Sequence, residues 1–164
     1  MKLVLLLIVL VCCLLLGLGI SKYYFVREKF YSDLCQFCKL FNLKVSFSKE
    51  KLPTIITSSK SSCSDEFNKF LTEYEGFIQS NKDNKEFRNC KCLYFLKSEE
   101  KQDIIEYFLS IGEMSATEEI EKSKAKLSFY EELKQKCSNE KNKFSTFYIK
   151  LFVILALFVF IIFI

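Results

Sequence analysis

Residues 3–20 read LVLLLIVLVCCLLLGLGI, an apolar run that contains no charged side chain. As a helix this run reaches about 27 Å, close to the hydrocarbon thickness of a bilayer. A cleaved signal peptide usually has a shorter apolar region and a cleavage site of small residues, whereas residues 19–24 read GISKYY. We therefore predict a retained transmembrane helix over residues 1–21, with cleavage of this segment as the alternative.

The other end of the chain is also apolar. Residues 151–164 read LFVILALFVFIIFI, which alone gives a helix of about 21 Å and is short for a span. The aromatic-rich residues 144–149 lengthen it, and the Lys150 ammonium can extend to the headgroups while its stem stays in apolar surroundings. The sequence predicts a second transmembrane helix over residues 144–164.

The charges that flank these two segments predict their orientation. Seven basic residues lie on the inner flanks of the predicted spans: Lys22, Arg27, Lys29, Lys134, Lys136, Lys141 and Lys143. Outside the spans lie only Lys2 and the terminal amine. The excess of basic residues marks the cytosolic side, so residues 22–143 are predicted to be a cytosolic domain of a cell-membrane protein.

Residues 22–143 have the periodicity of helices, and one proline and four glycines argue against a turn-rich β fold. The fold class predicted is all-α, a small helical bundle domain between two transmembrane helices. The clearest helix start is Ser115–Glu118, a capping box. The other local predictions are a helix start at Pro53, loops at 58–64 and 81–84, a cap at Ser64, a short helix at 93–96, and a helix from Ser98 to Gly112.

The composition argues against catalysis. The chain has no histidine, the commonest general base and metal ligand, and no glycine-rich loop that could hold a phosphate. The net charge of +4 comes from interspersed Lys and Glu, which differs from the clustered basic patch of a nucleic-acid-binding protein. We therefore predict no enzyme activity, no cofactor, no catalytic or metal-binding residue, and no nucleic-acid partner.

Eight cysteines leave three alternatives open. Cys35 and Cys38 with Cys90 and Cys92 could form an all-thiolate zinc site, although the C-x-C spacing of the second pair is less usual. An exported domain would instead pair its cysteines in disulfides. Reduced thiols that partly face the core are the simplest interpretation, because Cys35 and Cys38 lie about one helical turn apart.

The layout resembles the stage III sporulation protein AB family. Three stretches carry the resemblance: LKVSFSKEKLPTII at 43–56, FLSIGEMSATEE at 108–119, and residues 140–164, a charged run followed by the closing apolar segment. The first resembles the family's helix, turn and proline-containing helix start. The second resembles a family stretch with Leu-Gly where this chain has Ile111-Gly112.

The resemblance implies a helical domain similar to the cytosolic domains of the type II secretion F protein. It also implies a scaffold role in endospore formation, in the mother-cell membrane, within a secretion-like assembly. The partners it implies are other stage III sporulation membrane proteins, a cytosolic ATPase and the lipid bilayer. The alternative function is a secreted or surface-exposed helical protein stabilised by disulfides, with its first segment cleaved.

Overall fold

The computed structural model describes residues 2–48, 50–80 and 87–163, although many side chains in the first 20 and last 20 residues lie outside the description. The described residues form helices and turns without a strand, as predicted for an all-α fold. The helices, in chain order, are α1 Lys2–Leu43, a π-helical turn Lys44–Ser48, α2 Leu52–Lys60, α3 Asp65–Ser80, α4 Ser98–Leu109 and α5 Ala116–Phe163.

The chain packs as two compact units. The terminal unit contains Met1–Glu28 and Gln135–Ile164, and the central unit contains Lys29–Lys134. Helices α1 and α5 continue through the predicted boundaries at 21/22 and 143/144 without a break. The domain boundaries therefore stay a prediction from the change between apolar and charged sequence, since no change of secondary structure marks them.

Aromatic rings fill the core of the central unit. Phe108 of α4 lies at its centre, where its ring stacks on Phe37 at 5.2 Å and meets Phe70 and Tyr74 edge-on at 4.8 and 4.9 Å. The Tyr74 hydroxyl also donates to the Phe108 carbonyl at 2.8 Å. Edge-to-face and offset pairs are the favoured ring geometries, so these contacts add to the gain from apolar burial.

The predicted helix starts agree with the structure. Pro53 lies in the first turn of α2, where a backbone N–H has no intrahelical acceptor, so the N–H that proline lacks is not needed. At the start of α5 the Glu118 carboxylate accepts from the Ser115 amide at 3.1 Å, while the Ser115 hydroxyl accepts from the Glu118 amide at 3.4 Å. This reciprocal pair is the predicted capping box.

Three local predictions are wrong in part. Helix α2 continues to Lys60, into the predicted loop, and the hydroxyls of Ser58 and Ser59 there each donate back to the Ile55 carbonyl at 2.9 Å. Residues 93–96 form a turn, closed by the bond from the Leu96 amide to the Leu93 carbonyl at 3.1 Å. Helix α4 ends at Leu109, short of Gly112, whose φ of 95° belongs to the following turn.

Ser64 takes the predicted position before α3, since its carbonyl accepts from the Asn68 amide at 2.9 Å. Its hydroxyl, however, donates to the buried carboxylate of Asp33 on α1. The predicted loop at 81–84 lies outside the described residues. Many side chains of the two predicted membrane segments also lie outside the description. Among the described residues no helix has both the length and the apolar character to span a membrane.

Candidate interaction groove and thiol cluster

A groove of about 520 Å³ opens on the surface of the central unit. We call it the apolar groove, and its walls come from three segments: the end of α1 with the π-helical turn, the start of α2, and the turn from α4 into α5. Its apolar lining consists of Phe41, Val45, Leu52, Ile55, Ile111, Ala116 and Ile120. The groove is therefore built by the chain reversals between helices, where the core is thinnest.

Large apolar side chains project into solvent from the same segments. Phe47 of the π-helical turn is 84% exposed, and Leu43 at the end of α1 is 56% exposed. Met114, in the turn before α5, is 45% exposed. Single exposed apolar residues are ordinary, but three of them on the segments that line one apolar groove are typical of a protein-binding surface.

The two carboxylates at the groove are already engaged within the chain. The Glu50 carboxylate pairs with Lys44 at 2.7 Å, and the Glu119 carboxylate accepts from the Gly112 amide. With these carboxylates satisfied, the groove offers mainly apolar surface to a ligand. It can bind an apolar side chain or one face of a helix.

A buried hydrogen-bond chain lies within the central unit. The Cys38 thiol donates to the Tyr107 hydroxyl at 3.7 Å, and that hydroxyl donates to Ser123 of α5 at 3.0 Å. Burial raises the pKa of the Cys38 thiol to about 12. Because the thiolate is the reactive form, Cys38 is a structural residue that joins α1, α4 and α5.

Asp33 of α1 is a buried charge that the sequence analysis did not single out. It is 1% exposed and accepts from the Ser64 amide at 2.8 Å, while Lys29 lies 3.5 Å away. A carboxylate that accepts backbone N–H bonds can be buried at acceptable cost. The available signal was an aspartate between the buried Tyr31 and Leu34 on the apolar face of α1.

The structure separates the four cysteines that were considered together as a zinc site. Cys38 bonds to Tyr107, and the buried Cys35 precedes it on α1. Cys90 and Cys92 lie in the turns before α4, where their sulfurs and a carboxylate oxygen of Glu73 are all within 4.8 Å of one another. We call Glu73, Cys90 and Cys92 the thiol cluster; among the described residues no group of candidate ligands joins both cysteine pairs.

All six described cysteines are reduced thiols outside any disulfide: Cys35, Cys38, Cys63, Cys90, Cys92 and Cys137. Within the thiol cluster, a hydrogen bond with Cys90 and then burial raise the pKa of Cys92 far above the usual value of a thiol. Sequence reasoning found the C-x-C pair but missed Glu73, since 17 residues separate Glu73 from Cys90 and only the fold brings them together.

Comparison with known proteins identifies the family. Neither the curated proteins nor the solved structures contain a match to this chain. The sequence model of one family, described as stage III sporulation protein AB, matches residues 2–164. Because that match covers essentially the whole chain, the protein belongs to the stage III sporulation protein AB family.

Proposed function

We propose that this protein is a structural membrane component of a sporulation-specific, secretion-like assembly, and that it acts by binding other proteins and not by catalysis. Family membership gives the link to sporulation. The apolar groove with its exposed Phe47 carries the binding part of the proposal. When an exposed apolar side chain packs against a partner, apolar area of both proteins is removed from water, which favours association.

In this proposal residues 1–21 and 144–164 cross the mother-cell membrane. Support comes from their composition and from the pairing of α1 with α5 inside the terminal unit. Arg27 pairs with Glu140 at 3.4 Å and Glu28 with Lys141 at 3.1 Å, and the rings of Tyr24 and Phe144 stack at 4.4 Å. We call these three pairs the clasp.

The two helices are antiparallel in the clasp. Residue numbers rise from Tyr24 to Arg27 along α1, while those of their partners on α5 fall from Phe144 to Glu140. The apolar ends of α1 and α5 therefore leave the clasp on the same side of it. Two helices that leave in one direction can enter one bilayer from one face, as two spans around a single domain require. The aromatic pair suits the headgroup level, where tyrosine is favoured.

The basic flanks support a cytosolic central domain at residues 22–143. They outnumber the positive groups beyond the spans by seven to two. Within the clasp, Arg27 and Lys141 meet acidic partners, so the basic residues also help to hold the helices together. A cytosolic central unit presents the apolar groove to cytosolic domains of the other sporulation membrane proteins and to a cytosolic ATPase, which we propose as its partners.

The test is site-specific photo-crosslinking in sporulating cells. A photoreactive amino acid replaces Phe47, and a matched control replaces Tyr94, which is 76% exposed on the same unit. We expect protein adducts from position 47 that are absent at position 94, and we expect Phe47→Lys to lower spore yield more than Tyr94→Lys. Equal adducts at the two positions, or a normal spore yield with Phe47→Lys, would contradict the proposed binding surface.

A further inference from the structure

We infer that the thiol cluster of Glu73, Cys90 and Cys92 is a zinc-binding site. The two sulfurs and one carboxylate oxygen are already gathered within 4.8 Å. Two thiolates and a carboxylate are ligands that Zn²⁺ accepts in proteins, and three protein ligands leave the fourth tetrahedral position for water or for a partner's ligand. This site is independent of the proposed function and of the apolar groove.

Aromatic packing holds the ligands in place before any metal binds. The ring of Phe87, three residues before Cys90, lies against α3, with Phe77 at 5.2 Å and Tyr74 at 5.4 Å. The Cys90 amide then donates to the Phe87 carbonyl at 3.1 Å, which turns the chain back toward Glu73 of α3. The cluster therefore depends on a rigid, buried anchor.

The geometry needs only a small contraction. A Zn–S bond of about 2.3 Å in a tetrahedral site places two sulfur ligands about 3.8 Å apart. The ligand atoms of the cluster lie within 4.8 Å of one another. Rotation of the side chains can bring the two sulfurs from there to the spacing that zinc requires. Glu73 is exposed and Cys92 is half-buried, so an ion can enter from solvent, while Cys90 is buried and fixed.

The binding step balances in charge and protons. Zn²⁺ adds to two thiols and one carboxylate, two Zn–S bonds and one Zn–O bond form, and two S–H protons leave to water. No oxidant is required. Mg²⁺ and Ca²⁺ prefer sets of oxygen ligands, so the two sulfurs favour the softer Zn²⁺. Bound zinc would fasten the turns before α4 to α3.

The experiment measures zinc binding to the reduced full-length chain in detergent. Zn²⁺ is titrated against a chromophoric chelator, and Co²⁺ is used as a spectroscopic probe of thiolate ligation. The variants are Cys92→Ser and Glu73→Gln. Cys63→Ser is the matched control, because Cys63 is also half-buried in the central unit but lies outside the cluster.

We expect the wild type and Cys63→Ser to bind an equimolar amount of Zn²⁺ and to give a cobalt–thiolate absorption band. Cys92→Ser should weaken binding at least about 100-fold and lose most of that band, and Glu73→Gln should weaken it about 10-fold. Zinc should also raise the melting temperature of the wild type more than that of Cys92→Ser.

Three results would overturn the site: no zinc bound by the reduced wild type at micromolar free Zn²⁺, equal affinity in Cys92→Ser and wild type, or equal losses in Cys63→Ser and Cys92→Ser. Circular dichroism of each variant tests that the helices are intact. A variant that has unfolded is replaced by Cys92→Ala, which keeps the turn backbone and removes the ligand. The same three criteria then apply to that variant.

Discussion

The central and terminal units are held together by different forces. In the central unit, the rings of Phe37 and Phe70 each contact the ring of Phe108, and all three side chains are fully buried or nearly so. In the terminal unit, the contacts between α1 and α5 include the clasp, which is two ion pairs and one ring stack, and the Lys141 ammonium over the Phe25 ring. The central unit is therefore held together by apolar burial. The terminal unit is held together by charge pairing beside the apolar segments of α1 and α5.

This difference has a physical consequence. Apolar burial is not screened by salt, and its loss leaves a cavity whose cost grows with volume. Ion pairs that are partly exposed contribute little and are screened by salt. The central unit should therefore keep its fold in water or detergent, whereas the clasp alone is too weak to hold two long helices together. A membrane around the apolar ends would supply the missing constraint.

Phe108→Ala is expected to have the largest effect. Removing a fully buried ring that contacts four other rings should lower the free energy of unfolding by about 3–5 kcal/mol. Urea unfolding of the full chain in detergent, followed by circular dichroism, measures the change. Tyr94→Ala, at an exposed position, is the control and should shift it by no more than about 0.5 kcal/mol. Equal shifts would contradict the aromatic core.

Asp33→Ala should have an intermediate effect in the same unit. It removes a buried acceptor of the Ser64 amide and hydroxyl and leaves that amide without its carboxylate. We expect a loss of about 2 kcal/mol in the same unfolding experiment. Glu132→Ala, which removes an exposed carboxylate from α5, is the control. A loss in Asp33→Ala no larger than in the control would show that the buried charge does not support the fold.

The clasp should give the smallest effect. A double-mutant cycle of Glu28→Gln and Lys141→Met should show a coupling of about 0.5–1 kcal/mol at low salt, falling toward zero in 1 M NaCl. The control cycle uses Lys39 and Glu131, an ion pair whose partners are both well exposed. A coupling at Glu28 and Lys141 that is large and unaffected by salt would remove the contrast between the two units.

Much of the fold could be predicted from residues near one another in sequence. The Ser115–Glu118 box marked the start of α5, and the cap predicted at Ser64 marked the start of α3. Where a serine-rich stretch predicted a loop, α2 stays helical to Lys60 with Ser59 buried, although hydroxyls that bond back along a helix usually weaken it slightly.

The candidate sites could not be predicted in the same way, because each is assembled from distant segments. The apolar groove needs the turn at Val45 and the turn at Ile111 to lie side by side. The thiol cluster needs Phe87 to pack on α3 before Glu73 and Cys90 can meet. Cys35 and Cys38 looked like partners for that pair by spacing alone, but packing against Tyr107 places Cys38 elsewhere.

The native cysteines make poor reporters of topology. Cys137 is 1% exposed, and burial followed by the nearby Asp33 charge raises the pKa of Cys63 to about 11, which leaves little thiolate near neutral pH. An introduced thiol is therefore required. Ser128 of α5 is exposed in the central unit, and Ser128→Cys places an ordinary, reactive thiol there.

The most direct test of a two-span anchor with a cytosolic central unit is thiol labelling by a membrane-impermeant reagent. Intact cells that express Ser128→Cys are compared with cells that express a chain with one cysteine added after Ile164. We expect the added cysteine to react in intact cells, whereas the thiol introduced at position 128 should react only after the cells are permeabilised. Labelling of position 128 in intact cells, or recovery of the chain in the soluble fraction without detergent, would contradict it.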